Sequence, residues 1–75
     1  KGEALQFAVT DSTKGIGEPL KKGNLQDNIL LACITRRGKV IIPSGNDYIM
    51  AGDTIIVITT AEGKFKDIND IFAED

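Results

Sequence analysis

The stretch Ile29-Leu30-Leu31-Ala32-Cys33-Ile34 is apolar at every position, in a chain of only 75 residues. Such a run leaves no polar side to turn toward water, so it predicts a central strand covered on both faces. A second run, Thr54-Ile55-Ile56-Val57-Ile58-Thr59, is of the same kind and predicts the last strand. A domain of about this size buries only about 60% of the surface its unfolded chain exposes. One domain, residues 1–75, is all that fits. Two strands apolar on both faces exceed what its own short elements can cover, so part of that surface is expected to meet a second copy in a homodimer.

The remaining elements follow from period and punctuation. Over residues 4–9, Leu5, Phe7 and Val9 alternate with smaller or polar residues, the period of a half-buried strand. Asp11 to Gly17 is turn chemistry. Pro19 then stands where a short helix over 18–22 would start, with Gly23 to cap it. Arg36-Arg37-Gly38-Lys39 separates the central run from Val40-Ile41-Ile42 with a glycine suited to a tight turn, so the second run should return antiparallel. Pro43 ends it. Phe65, Ile68, Ile71 and Phe72 recur at helical spacing, which predicts a closing helix with Asp67, Asp70 and Glu74 toward water. The expected fold class is α+β: a small sheet of about four strands, a short helix after the first strand and a C-terminal helix, dimerising.

Absences in the composition narrow the function. No histidine is present, which removes the commonest general base, pH switch and metal ligand together. Cys33 is the single cysteine, so neither an internal disulfide nor a cysteine-built zinc site can form, and an unpaired thiol suits a reducing compartment. Eleven acidic against nine basic residues supply no drive toward nucleic acid or an anionic bilayer. The apolar runs are far shorter than the roughly 20 residues a spanning helix needs, so no direct membrane insertion is expected. Gly15-Ile16-Gly17 lacks the third glycine of a dinucleotide fingerprint, Leu20 standing in its place. Ser44 near Asp47 has no histidine to take its proton, and both are turn formers. Gly52-Asp53 reads as a turn before a strand. Lys21 and Lys22 at the end of the short helix and Arg36, Arg37 and Lys39 around the hairpin are the basic groups. A two-fold pairing that joined the helices to the starts of the central strands would make a groove in which lysines and free amides could hold phosphates.

Residues 4–9, Gly17-Glu18-Pro19-Leu20, the segment from Asn28 to Arg36, the segment from Gly38 to Asp47 and Gly52-Asp53-Thr54-Ile55-Ile56-Val57 together resemble the C-terminal domain of the potassium-conductance regulators, the RCK or TrkA C-terminal domain family. The resemblance covers nearly the whole chain. It implies a non-enzymatic regulatory module that binds rather than turns over, cytoplasmic, and peripheral to the inner face of the cell membrane through a potassium transporter or channel subunit. It also implies a Rossmann-type domain upstream, so the chain, which begins without methionine at Lys1-Gly2-Glu3, reads as excised from a longer protein. No cofactor is implied for this domain itself. In some members the dimer cleft holds the regulatory ligand cyclic di-adenosine monophosphate, through an arginine of the short helix and an asparagine-isoleucine pair opening the next strand. Asn28 and Ile29 match that pair, and Lys22 stands where the arginine would be. A lysine there supplies a point charge rather than a two-pronged grip. Two alternatives stay open: a dimerisation module that takes no ligand, and a swapped-hairpin DNA-binding domain of the AbrB type, which the segment from Arg37 to Pro43 with Gly52-Asp53 resembles locally.

Overall fold

The computed structural model describes residues 2–20, 24–60 and 65–73. Its centre is one antiparallel sheet of β1 (Glu3–Ala8), β2 (Ile29–Arg36), β3 (Lys39–Ile41) and β4 (Thr54–Thr59), in the spatial order β1-β4-β2-β3. The last strand in the chain therefore sits inside the sheet, between the first two. Its register runs from Glu3 opposite Thr59 to Ala8 opposite Thr54 on one side, and from Ile29 opposite Thr59 to Thr35 opposite Thr54 on the other. One irregularity between Leu31 and Cys33 leaves Ala32 as an extra residue on β2, a bulge that bends the strand and restores the alternation beyond it.

Alternation sorts the strands into two unlike faces. Leu31, Ile34, Ile55 and Val57 point into the core, where Ile34, Ile55 and Val57 are fully buried. Burying one such side chain is worth roughly 1.5–3 kcal/mol. The core is closed by three stretches that lie across this face, 9–20, 43–53 and 65–73, which contribute Val9, Ile49, Ile68, Ile71 and Phe72. On the outward face nothing among the described residues covers β2: Leu30 is 62% exposed.

The α+β expectation is also corrected, since among the described residues there is no α-helix. Glu18 lies in a bend, Pro19 in irregular backbone and Leu20 in a 3-10 turn, and residues 21–22 fall outside the described residues. Main-chain bonds tie the segment to the 43–53 stretch: Gly17 N donates to the Ile49 carbonyl and Leu20 N to that of Asp47, both at 2.9 Å. Gly17 itself has φ of 80°, a left-handed conformation that glycine alone adopts freely. At the other end, the spacing of Phe65, Ile68, Ile71 and Phe72 is met by a single 3-10 turn, Ile68–Ile71. A capping box opens it. Asp67 accepts from Asn69 N at 3.1 Å, while Asp70 accepts from the amides of Lys66 and Asp67 at 2.9 and 3.1 Å. What ends it is the pairing of the next residues with another segment, Ala73 N donating to the Asn24 carbonyl. Phe72 is already extended and bridges antiparallel to Leu25. No helix among the described residues is long and apolar enough to cross a membrane.

Candidate functional site

The two ends of β2 are built differently. At its far end the chain reverses through Arg37 and Gly38, with φ of 52° and 78°, and Arg36 opposite Lys39. Two positive φ values in a two-residue loop are what the right-handed twist of a hairpin demands. Arg36 leaves the strand on the core side and meets Asp53 with two parallel bonds, Nε to Oδ1 at 2.9 Å and Nη2 to Oδ2 at 2.8 Å. Nη2 also donates to the Tyr48 carbonyl at 2.9 Å, and the guanidinium lies 5.4 Å from the Tyr48 ring centre. Asp53, only 2% exposed, accepts a further bond from Met50 N at 2.8 Å. Burial pushes the Asp53 carboxyl up. The Arg36 and Met50 bonds and the Arg36 charge outweigh it and hold the group below the usual carboxylate range. The bond to Asp53 likewise raises Arg36.

Beside this pair is an open depression of about 360 Å³ lined by Arg36, Arg37, Met50 and the Ala51-Gly52-Asp53 turn. The partly exposed Arg36 cation is already paired with the buried Asp53, so the pair ties the 43–53 stretch to the hairpin. Spacing gave no hint of this pair, and Gly52-Asp53 read only as a turn. The available signal was one carboxylate at the mouth of an apolar strand and one arginine at the end of another. Ser44 and Asp47 form a closed turn, with Asp47 Oδ2 accepting from Ser44 N at 2.7 Å and Ser44 Oγ at 3.3 Å.

The near end of β2 is held more lightly. Ile29 N donates to the Gln26 carbonyl at 3.1 Å, closing a turn through Asp27 and Asn28. Upstream of the turn, Gln26 N donates to the Ile71 carbonyl at 2.9 Å, Gln26 Nε2 to that of Asp70 at 2.6 Å, and Ala73 N to that of Asn24 at 2.6 Å. Asn28 is half-buried, and no hydrogen bond engages its side-chain amide among the described residues. Ile29, also half-buried, packs against the core. The structure thus places Asn28 and Ile29 together at one corner of the sheet. Lys22, the third residue of the expected set, lies outside the described residues. Leu25 and Leu31, which bracket Asn28 and Ile29 in the chain, join Leu20, Pro43, Ser44 and Gly45 around a shallow groove of about 160 Å³. The walls are mostly apolar, and neither Asn28 nor Ile29 is among them. No group of three or more His, Cys, Asp or Glu that could hold a metal occurs among the described residues.

Comparison with known proteins decides the family. A model of the TrkA-C domain matches residues 4–72. The chain belongs to the TrkA-C domain family. It is 25% identical over its whole length to the Trk system potassium uptake protein TrkA homolog 2 of Methanosarcina mazei, of which it covers 16%. Over 56 residues, 73% of the chain, it is 32% identical to a TrkA homolog of Pyrococcus abyssi, covering 25% of that protein. Over 72 residues, 96% of the chain, it is 28% identical to the K(+)/H(+) antiporter NhaP2 of Shewanella oneidensis, covering 12%. The chain therefore spans a quarter or less of these curated relatives. Among solved structures, one described as an RCK domain with cda shares the fold, with a TM-score of 0.66 at 24% identity over 79% of this chain and 81% of that one. The proteins this chain resembles thus include some named as potassium uptake proteins and some named as antiporters.

Proposed function

We propose that this TrkA-C domain is a cytoplasmic regulatory domain of a potassium-uptake transport regulator, which pairs with a second copy and senses cyclic di-adenosine monophosphate in the cleft between the two. Family membership over residues 4–72 is the observation that carries the reading. The groove lined by Leu20, Leu25, Leu31, Pro43, Ser44 and Gly45 offers apolar walls that suit a base, and on this reading Lys22, Asn28 and Ile29 contact the phosphates. The absence of histidine agrees with binding rather than catalysis. A ligand shared across a two-fold axis favours one relative orientation of the subunits, and a transporter attached through the rest of the protein reads that orientation. The greater length of the relatives leaves room for the Rossmann-type domain that this reading puts upstream. The AbrB-type alternative drops away, because the family match takes in β1 and the 9–20 stretch, which a lone hairpin module lacks.

Isothermal titration with cyclic di-adenosine monophosphate, with the di-guanosine analogue as control, tests the reading. One nucleotide per dimer, with affinity lost in Lys22→Ala and Asn28→Ala, is the expected result. Absence of heat at millimolar ligand would leave a dimerisation module that takes no small molecule.

A further inference from the structure

Arg37 stands where another residue would serve the fold better. It is the first central residue of the turn between β2 and β3, with φ of 52°, and Gly38 follows at 78°. Asparagine, aspartate or glycine is the ordinary occupant of that position, because a longer side chain on a left-handed backbone brings strain. Nothing within the domain repays it: the Arg37 side chain is exposed and makes no hydrogen bond or ion pair among the described residues. A strained residue whose side chain the fold does not use points to a use outside the fold.

The space beside it is built from fixed parts. Arg37 lines the open depression of about 360 Å³ together with Arg36, Met50, Ala51, Gly52 and Asp53, a volume within the range of small-ligand sites. Asp53 and the Tyr48 carbonyl hold Arg36 through Nε and Nη2, while its Nη1 has no partner among the described residues. Lys39, opposite Arg36 in the register, brings a third cation to this corner. The carboxylates that act on Arg36 are Asp53 and Asp47, the second bound in its own turn to Ser44. The corner is therefore positive by one charge, in a chain whose net charge is -2.

We propose that this depression binds a carboxylate carried on a short apolar body, with Arg37 as its counter-charge, Arg36 Nη1 as a second donor, and Met50 and Ala51 against the body. One excess positive charge selects a monoanion, since a phosphate monoester would leave charge unmatched beside the buried Asp53. A carboxylate is flat and offers two acceptor oxygens, the shape that guanidinium groups match. Met50, 40% exposed, supplies a flexible, polarizable wall that adapts to an apolar group. A free organic acid and an acidic residue within an apolar peptide share this chemistry. The site lies at the end of β2 away from Asn28 and does not depend on the nucleotide reading.

Titrations followed by the amide NMR shifts of the chain test the proposal. The probes are isocaproate and the capped peptide acetyl-Leu-Glu-Leu-amide, with isocaproamide and inorganic phosphate as controls. A carboxylate probe should move the amides of Arg37, Gly38, Ala51 and Gly52 saturably, and neither control should. Arg37→Gly should weaken that binding about tenfold or more and leave the shifts of the sheet in place, since glycine accepts this backbone freely. Arg37→Gln, which keeps the strain and removes the charge, should weaken it as much. Isocaproate binding as tightly as the peptide supports the site as one for small organic acids; saturation by the peptide alone supports it as one for an acidic protein segment. No saturable shift from either probe overturns the proposal. So does an equal response to isocaproamide or phosphate, or binding that both Arg37 variants leave undiminished.

Discussion

The two ends of β2 show how one strand serves both permanence and access. At the Arg36 end, a buried carboxylate collects bonds from a guanidinium and a main-chain amide, and its charge is matched within the fold. At the Ile29 end, the turn is tied by main-chain bonds to the 65–73 stretch, while the Asn28 side-chain amide is uncommitted among the described residues. Polar groups fully satisfied within the fold specify a structure; those left unspent are what a ligand can use.

Breaking the locked end should cost most. Arg36→Ala leaves the Asp53 carboxylate buried without its cation and should destabilise the fold by roughly 3 kcal/mol, less than for a wholly buried pair because Arg36 is partly exposed. Urea denaturation measures it, and Arg36→Lys should recover only part, since one ammonium cannot make both bonds. The same pair sets the acid limit. The folded-state value of Asp53 is depressed, so its contribution is complete above an unfolded-state value of about 3.9 and is lost as pH falls below that toward the depressed value. Acid unfolding of Asp53→Asn should show a shallower dependence on pH in that window.

At the open end the effects shrink. Gln26→Ala removes a side-chain bond to the Asp70 carbonyl and should cost about 1 kcal/mol by the same urea measurement, leaving the hairpin intact. Arg37→Gly should go the other way. A positive φ strains any residue with a Cβ, but glycine frees the unfolded chain, so the net gain should be about 0.5 kcal/mol. Asn28→Ala should change stability by less than about 0.5 kcal/mol while abolishing nucleotide uptake. A larger loss of stability would mean that Asn28 belongs to the frame and would erase the contrast between the two ends.

Legibility in the sequence tracks how local the cause is. Strand β4 was visible residue for residue because its apolar run is bounded by Gly52-Asp53 and Thr60. Spacings of three, three and one are shared by a helix and by one 3-10 turn that enters an extended segment, and the pairing of Phe72 and Ala73 with the distant 24–25 segment, which ends the turn, leaves no periodic trace. The tie from Gly17 to Ile49 joins residues that only the folded sheet makes neighbours. Arg36 and Asp53 escaped notice for the same reason, being 17 residues apart and juxtaposed through the register of β2 and β4. Asn28 and Ile29 came from family resemblance alone, since an asparagine before an apolar strand is ordinarily just a turn.

The strand order also dictates a timetable. Because β4 lies between β1 and β2, β1 has no sheet partner, and β2 only β3, until the chain has been made past Thr59. On a ribosome, β1 must wait through nearly the entire domain, and only the β2–β3 hairpin can close early. Folding thus has to bear the entropy of a long loop before most of the sheet rewards it. A nascent chain stopped just short of β4 should be hairpin and little else, with its most apolar run, from Ile29 to Ile34, open to whatever chaperone is near.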